Sequence, residues 1–351
     1  MMPHPIDQPL HGIRILDLTR LLPGPMATLQ LADMGAKVIK IEEPGAGDPA
    51  RTMGPFPGEL SQFFQVVNRG KQLLRLDLKN ADQREQLLAM VETADVLVES
   101  FRPGVMARLG LGWDVLKARN SKLVVCAISG YGQSGPMALM AGHDINYLAS
   151  AGMLEQNAGS DGKPALANLQ VADLLGGSQT AVQGILAALL AVKMGGPGRY
   201  VDVSMTHAVF ANNVMPLVAV KNFGVSAKPG RDLLTGGVAC YNVYRTRDGR
   251  FVAVGALELK FWVLFCATVG RPDWATQHWA LGQEVGSDGA LALIDAVTTY
   301  FSAQDLAESM ARFDGVDCCV SAVLRMDEAM GSALMRDQVA EIIGSPIRFS
   351  A

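Results

Sequence analysis

The sequence is poor in the features that mark several common classes of protein. Its five cysteines include no Cys-x-x-Cys pair and no spacing typical of a zinc site. Charged residues make up only 18% of the chain, and the net charge of −4 lacks the surplus of Lys and Arg that nucleic-acid binding requires. The longest apolar run, residues 185–192, is too short to span a bilayer. We therefore expect a cytoplasmic protein with reduced thiols, without a metal, a nucleic-acid partner or a membrane anchor.

A glycine-rich dinucleotide fingerprint of the form GxGxxG is also missing. The first strand pattern, at residues 13–18, is followed instead by the stiff sequence Pro23-Gly24-Pro25, so a dehydrogenase is disfavoured. Strand patterns nevertheless alternate with helix patterns through residues 13–128, which predicts an α/β fold with a Rossmann-like, mostly parallel sheet. Loops after such strands meet at one edge, so we expect the loops at Pro23, Asn68, Phe101 and Gly130 to surround one site.

The chain is long enough for more than one domain. At 351 residues, of which 49% are apolar, it exceeds the size at which a single core usually keeps growing. We expect a large Rossmann-like domain over residues 1–200, completed by about 320–351, a linker over 201–238, and a smaller α+β domain over 239–319. The smaller domain opens with a hairpin pattern around Asp248-Gly249.

Two side chains with acid–base chemistry stand in separate segments with glycine close by. His143 follows Gly142, and Asp173 is followed by Gly176 and Gly177. A histidine and a carboxylate arriving from two segments suit proton transfer at a carbon, with one group on each face. Taken singly, the simpler interpretation is a partly buried histidine and a helix N-cap aspartate. The rest of the chain favours the catalytic one.

The order and spacing of six segments resemble the family III CoA-transferase and α-methylacyl-CoA racemase superfamily over nearly the whole chain. These segments are residues 12–18 (GIRILDL), 23–25 (PGP), 32–42 (ADMGAKVIKIE), 68–71 (NRGK), 101–104 (FRPG) and 130–136 (GYGQSGP). The resemblance implies an enzyme acting on an acyl-CoA thioester, with coenzyme A entering as part of the substrate and no other cofactor.

Within that superfamily, three segments look like the racemase branch. The resemblance implies that His143 is the base on one face of the α-carbon, Asp173 the acid–base group on the other, and Glu258 a carboxylate that orients His143. Backbone N–H groups around Asp173 are expected to hold the enolate oxygen. The activity implied is interconversion of (R)- and (S)-2-methylacyl-CoA thioesters. The alternative is a CoA-transferase in which Asp173 attacks the thioester and forms a mixed anhydride, and a non-enzymatic CoA-binding module is a third class.

The resemblance also places CoA at the loops of the large domain. Candidate phosphate ligands are the cationic side chains Lys40, Arg69, Lys71, Arg102 and Arg108. Asp144 and Tyr147 are candidates for lining the thioester or the pantetheine arm. Family members of this kind form interlocked homodimers, so we expect Glu258 to reach His143 and Asp173 from a partner chain.

Overall fold

The computed structural model describes residues 8–158, 162–226, 228–336, 344–347 and 349. They fall into two compact units. The larger unit takes the described parts of residues 1–154, 166–213 and 338–351, and the smaller unit takes those of residues 155–165 and 214–337.

The larger unit is built on six strands in the order β3-β2-β1-β4-β5-β6. All five pairings are parallel, which confirms the predicted parallel sheet. Strands β4 and β5, rich in Val and Ile, are buried along their whole length, as parallel strands covered on both faces are. Because the strand order reverses between β1 and β4, a crevice opens at their carboxyl ends. The strands are β1 Arg14–Leu18, β2 Lys37–Glu42, β3 Gln72–Arg75, β4 Val96–Glu99, β5 Val124–Ser129 and β6 Tyr200–Ser204.

Helices accompany these strands along the chain. In order they are α1 Pro23–Asp33, α2 Gln62–Val67, α3 Ala81–Val91, α4 Val105–Arg108, α5 Trp113–Arg119, α6 Asp144–Ser150, α7 Met153–Gln156, α8 Thr180–Lys193 and α9 Met205–Asn212. Helix α1 begins at Pro23, since a proline is tolerated in the first turn, where its missing N–H would have no partner. The π-helical segment Ala172–Gln179 runs directly into α8. π-Helical stretches within longer helices are rare and are frequently found at functional sites.

One helical stretch in the described part of the chain, Ala172–Lys193, is long and apolar enough to cross a membrane by length and composition alone. The helix is thus longer than the apolar run seen in the sequence. However, 44% of its most apolar window is buried inside the fold, where Ile185 and Ala188 join the main hydrophobic core. Packing in the core therefore explains why this helix is so apolar.

The smaller unit has a three-stranded antiparallel sheet in the order β7-β8-β9. Its core is aromatic: Phe265 stacks on Trp262 and on Phe313, with ring centroids 5.0 and 5.7 Å apart. The elements are α10 Val214–Phe223, β7 Tyr241–Arg245, β8 Phe251–Gly255, α11 Leu259–Thr268, α12 Asp288–Ser302, α13 Leu306–Arg312, β9 Val320–Ala322 and α14 Met326–Gly331.

The observed units differ from the predicted domains at three places. The expected linker over 201–238 is wrong where it overlaps β6 and α9, because β6 pairs with β5 and closes the larger sheet. Residues 155–158 and 162–165 belong to the smaller unit. Residues 320–336 also belong to it, since β9 pairs with β8, so their assignment to the larger domain is wrong. Most of the predicted stretch beyond residue 336 lies outside the described residues.

Candidate active site

A cavity of about 470 Å³ opens at the carboxyl ends of the central strands of the larger unit. Its walls include Pro23 after β1, Phe101 after β4 and Gly130 after β5. Three of the four loops predicted to surround one site therefore meet there. The fourth is absent from this wall because Asn68 is buried, with its amide bonded to the carbonyl of Phe64.

Asp173 reaches this cavity from the π-helical segment. Its backbone N–H donates a hydrogen bond of 3.0 Å to Oδ1 of Asp144. Burial raises the pKa of the Asp173 carboxyl, and the nearby charge of Asp144 raises it further, to about 7. A carboxyl group with this pKa is present in both its acid and its base form near neutral pH.

The helix that carries Asp173 is packed unusually closely against its neighbours. A Cβ atom at Gly176 would lie 2.7 Å from the carbonyl oxygen of Met205, and one at Gly177 would lie 2.7 Å from Cβ of Pro23. Ser178 Oγ donates a 2.6 Å hydrogen bond to the carbonyl of Pro23. The two glycines therefore let this segment approach α1 and α9, which holds Asp173 at the cavity wall.

His143 lines the same cavity as Asp173. It precedes α6, and its carbonyl accepts the backbone N–H groups of Asn146 and Tyr147 at 2.8 and 3.2 Å. Its own N–H donates to Oδ1 of Asn146 at 3.1 Å. The backbone of His143 is thus fixed at the start of a helix, while the residue stays exposed. The structure brings the two predicted catalytic groups, His143 and Asp173, to one cavity.

Tyr147 forms part of the cavity wall, as proposed from the sequence. Its hydroxyl donates a 2.5 Å hydrogen bond to the carbonyl of Gly142, and its ring meets Tyr131 edge to face at 5.3 Å. Burial, followed by the charge of Asp173, raises the pKa of Tyr147 to about 12, so the phenol remains neutral. Asp144 is not part of the wall; its carboxylate contacts the backbone of Asp173 instead.

We predicted that backbone N–H groups around Asp173 hold the enolate oxygen. This prediction is wrong for the N–H groups of Asp173 and Leu174. The N–H of Asp173 is bonded to Asp144, and the N–H of Leu174 donates to the carbonyl of Gln170 at 2.9 Å. Neither group is therefore available to an enolate oxygen. The sequence could not show this, because it depends on a carboxylate 29 positions away.

Two arginines line the cavity, and only one of them was identified from the sequence. Arg102, a predicted phosphate ligand, lies on the loop after β4. Arg20 was missed, although its position directly after β1 is a signal for the same edge of the sheet. Its guanidinium lies 5.4 Å from the centroid of the Phe101 ring and 3.6 Å from the Glu43 carboxylate.

Lys40 and Lys71 are wrong as phosphate ligands. Both side chains are 0% exposed. Lys40 pairs with Asp48 at 3.0 Å and donates to the carbonyl of Thr19 at 2.8 Å. Lys71 pairs with Asp17 at 3.1 Å. If either lysine turned outward to bind a phosphate, its buried aspartate partner would be left as an unpaired charge, which is strongly destabilising.

The remaining predicted ligands lie outside the cavity wall. Arg69 forms a two-pronged ion pair with Asp33 at 2.6 and 2.9 Å, which accounts for its two terminal nitrogens and argues against a phosphate there. Arg108 is exposed on α4, and its role stays a prediction. Glu258 belongs to the smaller unit, where it precedes α11 and its carbonyl accepts the N–H of Phe261 at 3.0 Å. Its orienting role also stays a prediction.

Within the described ranges, no group of three or more His, Cys, Asp or Glu side chains is arranged to hold a metal ion. The cavity brings together a histidine, a carboxyl group of raised pKa and two arginines. This set can move protons and attract an anionic ligand.

The chain is similar in sequence to known proteins of two kinds, racemases and CoA-transferases. The model of the family described as CoA-transferase family III matches residues 10–341. Human alpha-methylacyl-CoA racemase is 34% identical over 322 residues, which cover 92% of this chain and 79% of the human protein. The acetyl-CoA:oxalate CoA-transferase of Acetobacter aceti is 38% identical over 270 residues, covering 76% of this chain and 68% of that protein.

The fold is similar to that of solved structures over nearly its full length. A crystal structure of a CAIB/BAIF family protein from Brucella suis has a TM-score of 0.83 at 25% identity, covering 98% of this chain and 93% of its own. The alignments therefore extend well beyond the cavity, across both units of the chain.

Proposed function

The chain belongs to CoA-transferase family III, and on this premise we propose that it is an enzyme that interconverts (R)- and (S)-2-methylacyl-CoA thioesters. One observation carries this proposal: His143 and Asp173 line the same cavity, and the pKa of Asp173 is raised to about 7. A histidine and a carboxyl group of raised pKa at one cavity are the two acid–base groups that inversion at an α-carbon requires.

The reaction needs one proton to leave the α-carbon and one to return. In one direction, His143 removes the proton, the C–H electron pair moves into the thioester as an enolate, and the acid form of Asp173 delivers a proton to the opposite face. In the other direction the roles exchange. Each turnover leaves the number of protons on the substrate unchanged and moves one proton from Asp173 to His143. Proton exchange with solvent water then returns both groups to their starting forms. Burial and the charge of Asp144 serve this exchange because they raise the pKa of Asp173 to about 7, so that part of the carboxyl keeps its proton near neutral pH.

Arg20 and Arg102 support binding of the CoA portion in the same cavity. Two guanidinium groups at one wall attract the diphosphate of CoA, and their planar donors suit phosphate oxygens. Arg108, also after β4, is proposed as a further contact for the exposed end of the nucleotide. Tyr147 and Tyr131 offer an aromatic wall for the thioester arm.

A CoA-transferase is the second candidate, favoured by the 38% identity to an oxalate CoA-transferase and by the placement of Asp173 at the cavity wall. There the Asp173 carboxylate would attack the thioester carbon, releasing CoA thiolate and leaving an aspartyl acyl anhydride. That route assigns no task to His143, which is why we rank it second.

We also propose that the protein is a homodimer, with Glu258 of one chain serving the site of the other. The support comes from helix α10, which buries none of its residues although it is mostly apolar: Val214, Met215, Val218 and Phe223 are 51–80% exposed. An apolar face of this kind marks an interaction surface. A cytoplasmic location stays an expectation.

The decisive experiment follows the α-hydrogen. A single-enantiomer 2-methylacyl-CoA is incubated in D₂O with the wild type, His143→Ala or Asp173→Asn, and deuterium incorporation and optical purity are measured. We expect incorporation with loss of optical purity in the wild type and a decrease of roughly 10²–10⁴-fold in each variant. The exposed His11→Ala and Asp114→Asn serve as matched controls and should retain wild-type rates.

The opposing result is equally clear. Absence of exchange with several such thioesters, together with transfer of CoA to an added carboxylic acid and a hydroxylamine-sensitive acyl group on Asp173, would replace the racemase with the transferase.

A further inference from the structure

A buried glutamate closes the carboxyl end of β4, next to the candidate active site but outside its wall. Glu99 pairs in register with Leu18 of β1 and Ala127 of β5, and it is only 4% exposed. Placing a carboxyl group there costs desolvation, which a specific interaction must offset. That interaction is a 2.7 Å hydrogen bond that Oε2 accepts from the backbone N–H of Phe101.

The turn that Glu99 holds, residues 100–102, organises both arginines of the cavity. The N–H of Arg20 donates to Oγ of Ser100 at 3.1 Å, and the Arg20 guanidinium lies over the ring of Phe101. Arg102 is the next residue. Moving this turn would therefore move Arg102 directly and would remove two contacts of Arg20.

A second cavity of about 150 Å³ lies on the other side of this turn. Glu99 and Arg102 both line it, together with Gln133 and Tyr200. Arg102 also lines the larger cavity that holds Asp173, whereas Glu99 does not. Arg102 thus lies on the wall between the two cavities, and Glu99 lies on the side of the smaller cavity.

We propose that Glu99 is a positioning residue for CoA recognition: it fixes the turn at residues 100–102 and so holds Arg20 and Arg102 toward the phosphates of CoA. This inference rests on the proposed binding of CoA in the larger cavity. Glu99 does not touch the substrate, and it acts through the backbone of Phe101.

The titration of Glu99 makes this role measurable. Burial raises its pKa, the hydrogen bond from Phe101 lowers it, and the charge of Asp202 raises it again, to a net value of about 7. Asp202 and Tyr200 face it from β6, Cys126 from β5, and Arg102 from its own loop.

Burial also raises the pKa of both Tyr200 and Cys126, so those two groups are neutral near pH 7 and do not titrate with Glu99. Above pH 7 an ionised Glu99 accepts a charge-assisted hydrogen bond. Below it, the neutral acid is a weaker acceptor.

The test is binding of coenzyme A itself, measured by titration calorimetry between pH 6 and 8.5. The proteins are the wild type, Glu99→Gln and, as a matched control, the exposed Glu92→Gln. We expect the ratio of Kd in Glu99→Gln to Kd in the wild type to rise from about 1 at pH 6 to about 5 at pH 8.5. Titration of the CoA phosphates cancels in this ratio, and Glu92→Gln should give a ratio near 1 throughout.

One further variant keeps the proposal falsifiable if Glu99→Gln folds poorly, and a double variant tests the coupling if it folds. Asp202→Asn removes a charge that raises the pKa of Glu99, so the pH dependence of CoA binding should move to lower pH. In an Arg102→Ala background, Glu99→Gln should lose most of its effect, because the two act through one turn.

A ratio that does not change with pH, an unmoved profile in Asp202→Asn, or full additivity with Arg102→Ala would each overturn the proposal. Because the readout is binding and not turnover, failure of the racemase reaction would leave this result intact.

Discussion

Two aspartates of the larger unit have pKa values that are shifted in opposite directions, although burial acts on both. Asp17, at 0% exposure, is fully buried and Asp173 is partly buried, and burial by itself raises the pKa of a carboxyl group. Yet the pKa of Asp17 falls to about 2, whereas that of Asp173 rises to about 7. Burial therefore does not determine the outcome, and the partners of each carboxyl do.

The partners of Asp17 are cations and donors. Lys71 lies 3.1 Å away and Lys40 adds a second positive charge. The hydroxyls of Thr19 and Thr28 donate hydrogen bonds of 2.5 and 2.6 Å. These contacts outweigh burial and lower the pKa, which makes Asp17 a permanent anion that holds the β1–α1 loop together.

Asp173 has the reverse surroundings. The group that shifts its pKa after burial is another carboxylate, Asp144, which raises it further. One aspartate is thus committed to structure, and the other retains a proton that it can exchange. Four measurements test this contrast.

The largest effect is expected from Asp17→Asn. It leaves the fully buried Lys71 without its counter-ion, so we expect the free energy of unfolding to fall by about 3–5 kcal/mol. Burial already lowers the pKa of Lys71 to about 8 against the opposing charge of Asp17, so the lysine should lose its proton more readily in the variant. Denaturant unfolding measures the loss; a value like that of the exposed Asp114→Asn would contradict the structural role of Asp17.

Asp173→Asn is expected to change the free energy of unfolding in the opposite direction, as a gain. The folded pKa of Asp173, about 7, lies above the ordinary value of 3.8, so stability falls as pH rises from about 4 to 7 and the penalty is complete above pH 7. Replacing the carboxyl should raise the free energy of unfolding by on the order of 2 kcal/mol at pH 8. Little gain is expected at pH 4. Unfolding curves at the two pH values check the sign, and a loss of stability at pH 8 would show that Asp173 is a structural residue.

A smaller effect is expected from Thr28→Val, which keeps the shape of the side chain and removes one donor to Asp17. The lost hydrogen bond to a charged group should cost about 1–3 kcal/mol of unfolding free energy and raise the pKa of Asp17. Because stability contributed by a lowered carboxyl pKa disappears as pH falls from about 4 to 2, the variant should also unfold at a higher pH than the wild type in an acid titration.

The smallest effect is a shift in pH dependence from Asp144→Asn. An asparagine can still accept the N–H of Asp173 but carries no charge, so the pKa of Asp173 should decrease. The limb of the deuterium-exchange profile that reports Asp173 should move to lower pH. An unshifted limb would mean that the titrating group is not Asp173.

Much of this organisation follows from the sequence. Runs of Val, Ile and Leu between glycine-rich loops predicted the parallel sheet, and the rule that loops follow strands at one edge brought Pro23, Phe101 and Gly130 together. The resemblance of the segments around His143 and Asp173 to a known family pointed to the residues that the fold then placed in one cavity.

The errors over the two lysines share a physical cause, which is that charge pairing in the folded interior leaves no local sequence pattern. In the sequence, Lys40 and Lys71 look like cations that could bind a phosphate. In the structure, Asp48 pairs with Lys40 and Asp17 pairs with Lys71 in the interior. Their burial depends on how strands and loops assemble. The linker was misplaced for a similar reason, since β6 is recognisable as a closing strand only once β5 is known to need a neighbour.

The ring of Tyr147 occupies space that two missing side chains leave free. A Cβ atom at Gly130 would lie 2.3 Å from Cε1 of that ring, and one at Gly142 would lie 2.7 Å from it. Neither glycine can therefore gain a side chain unless the residue at position 147 becomes smaller. A smaller residue at 147 would widen the cavity for bulkier acyl groups, while alanine at 130 and 142 could refill the gap, so substrate range should change through coordinated replacements.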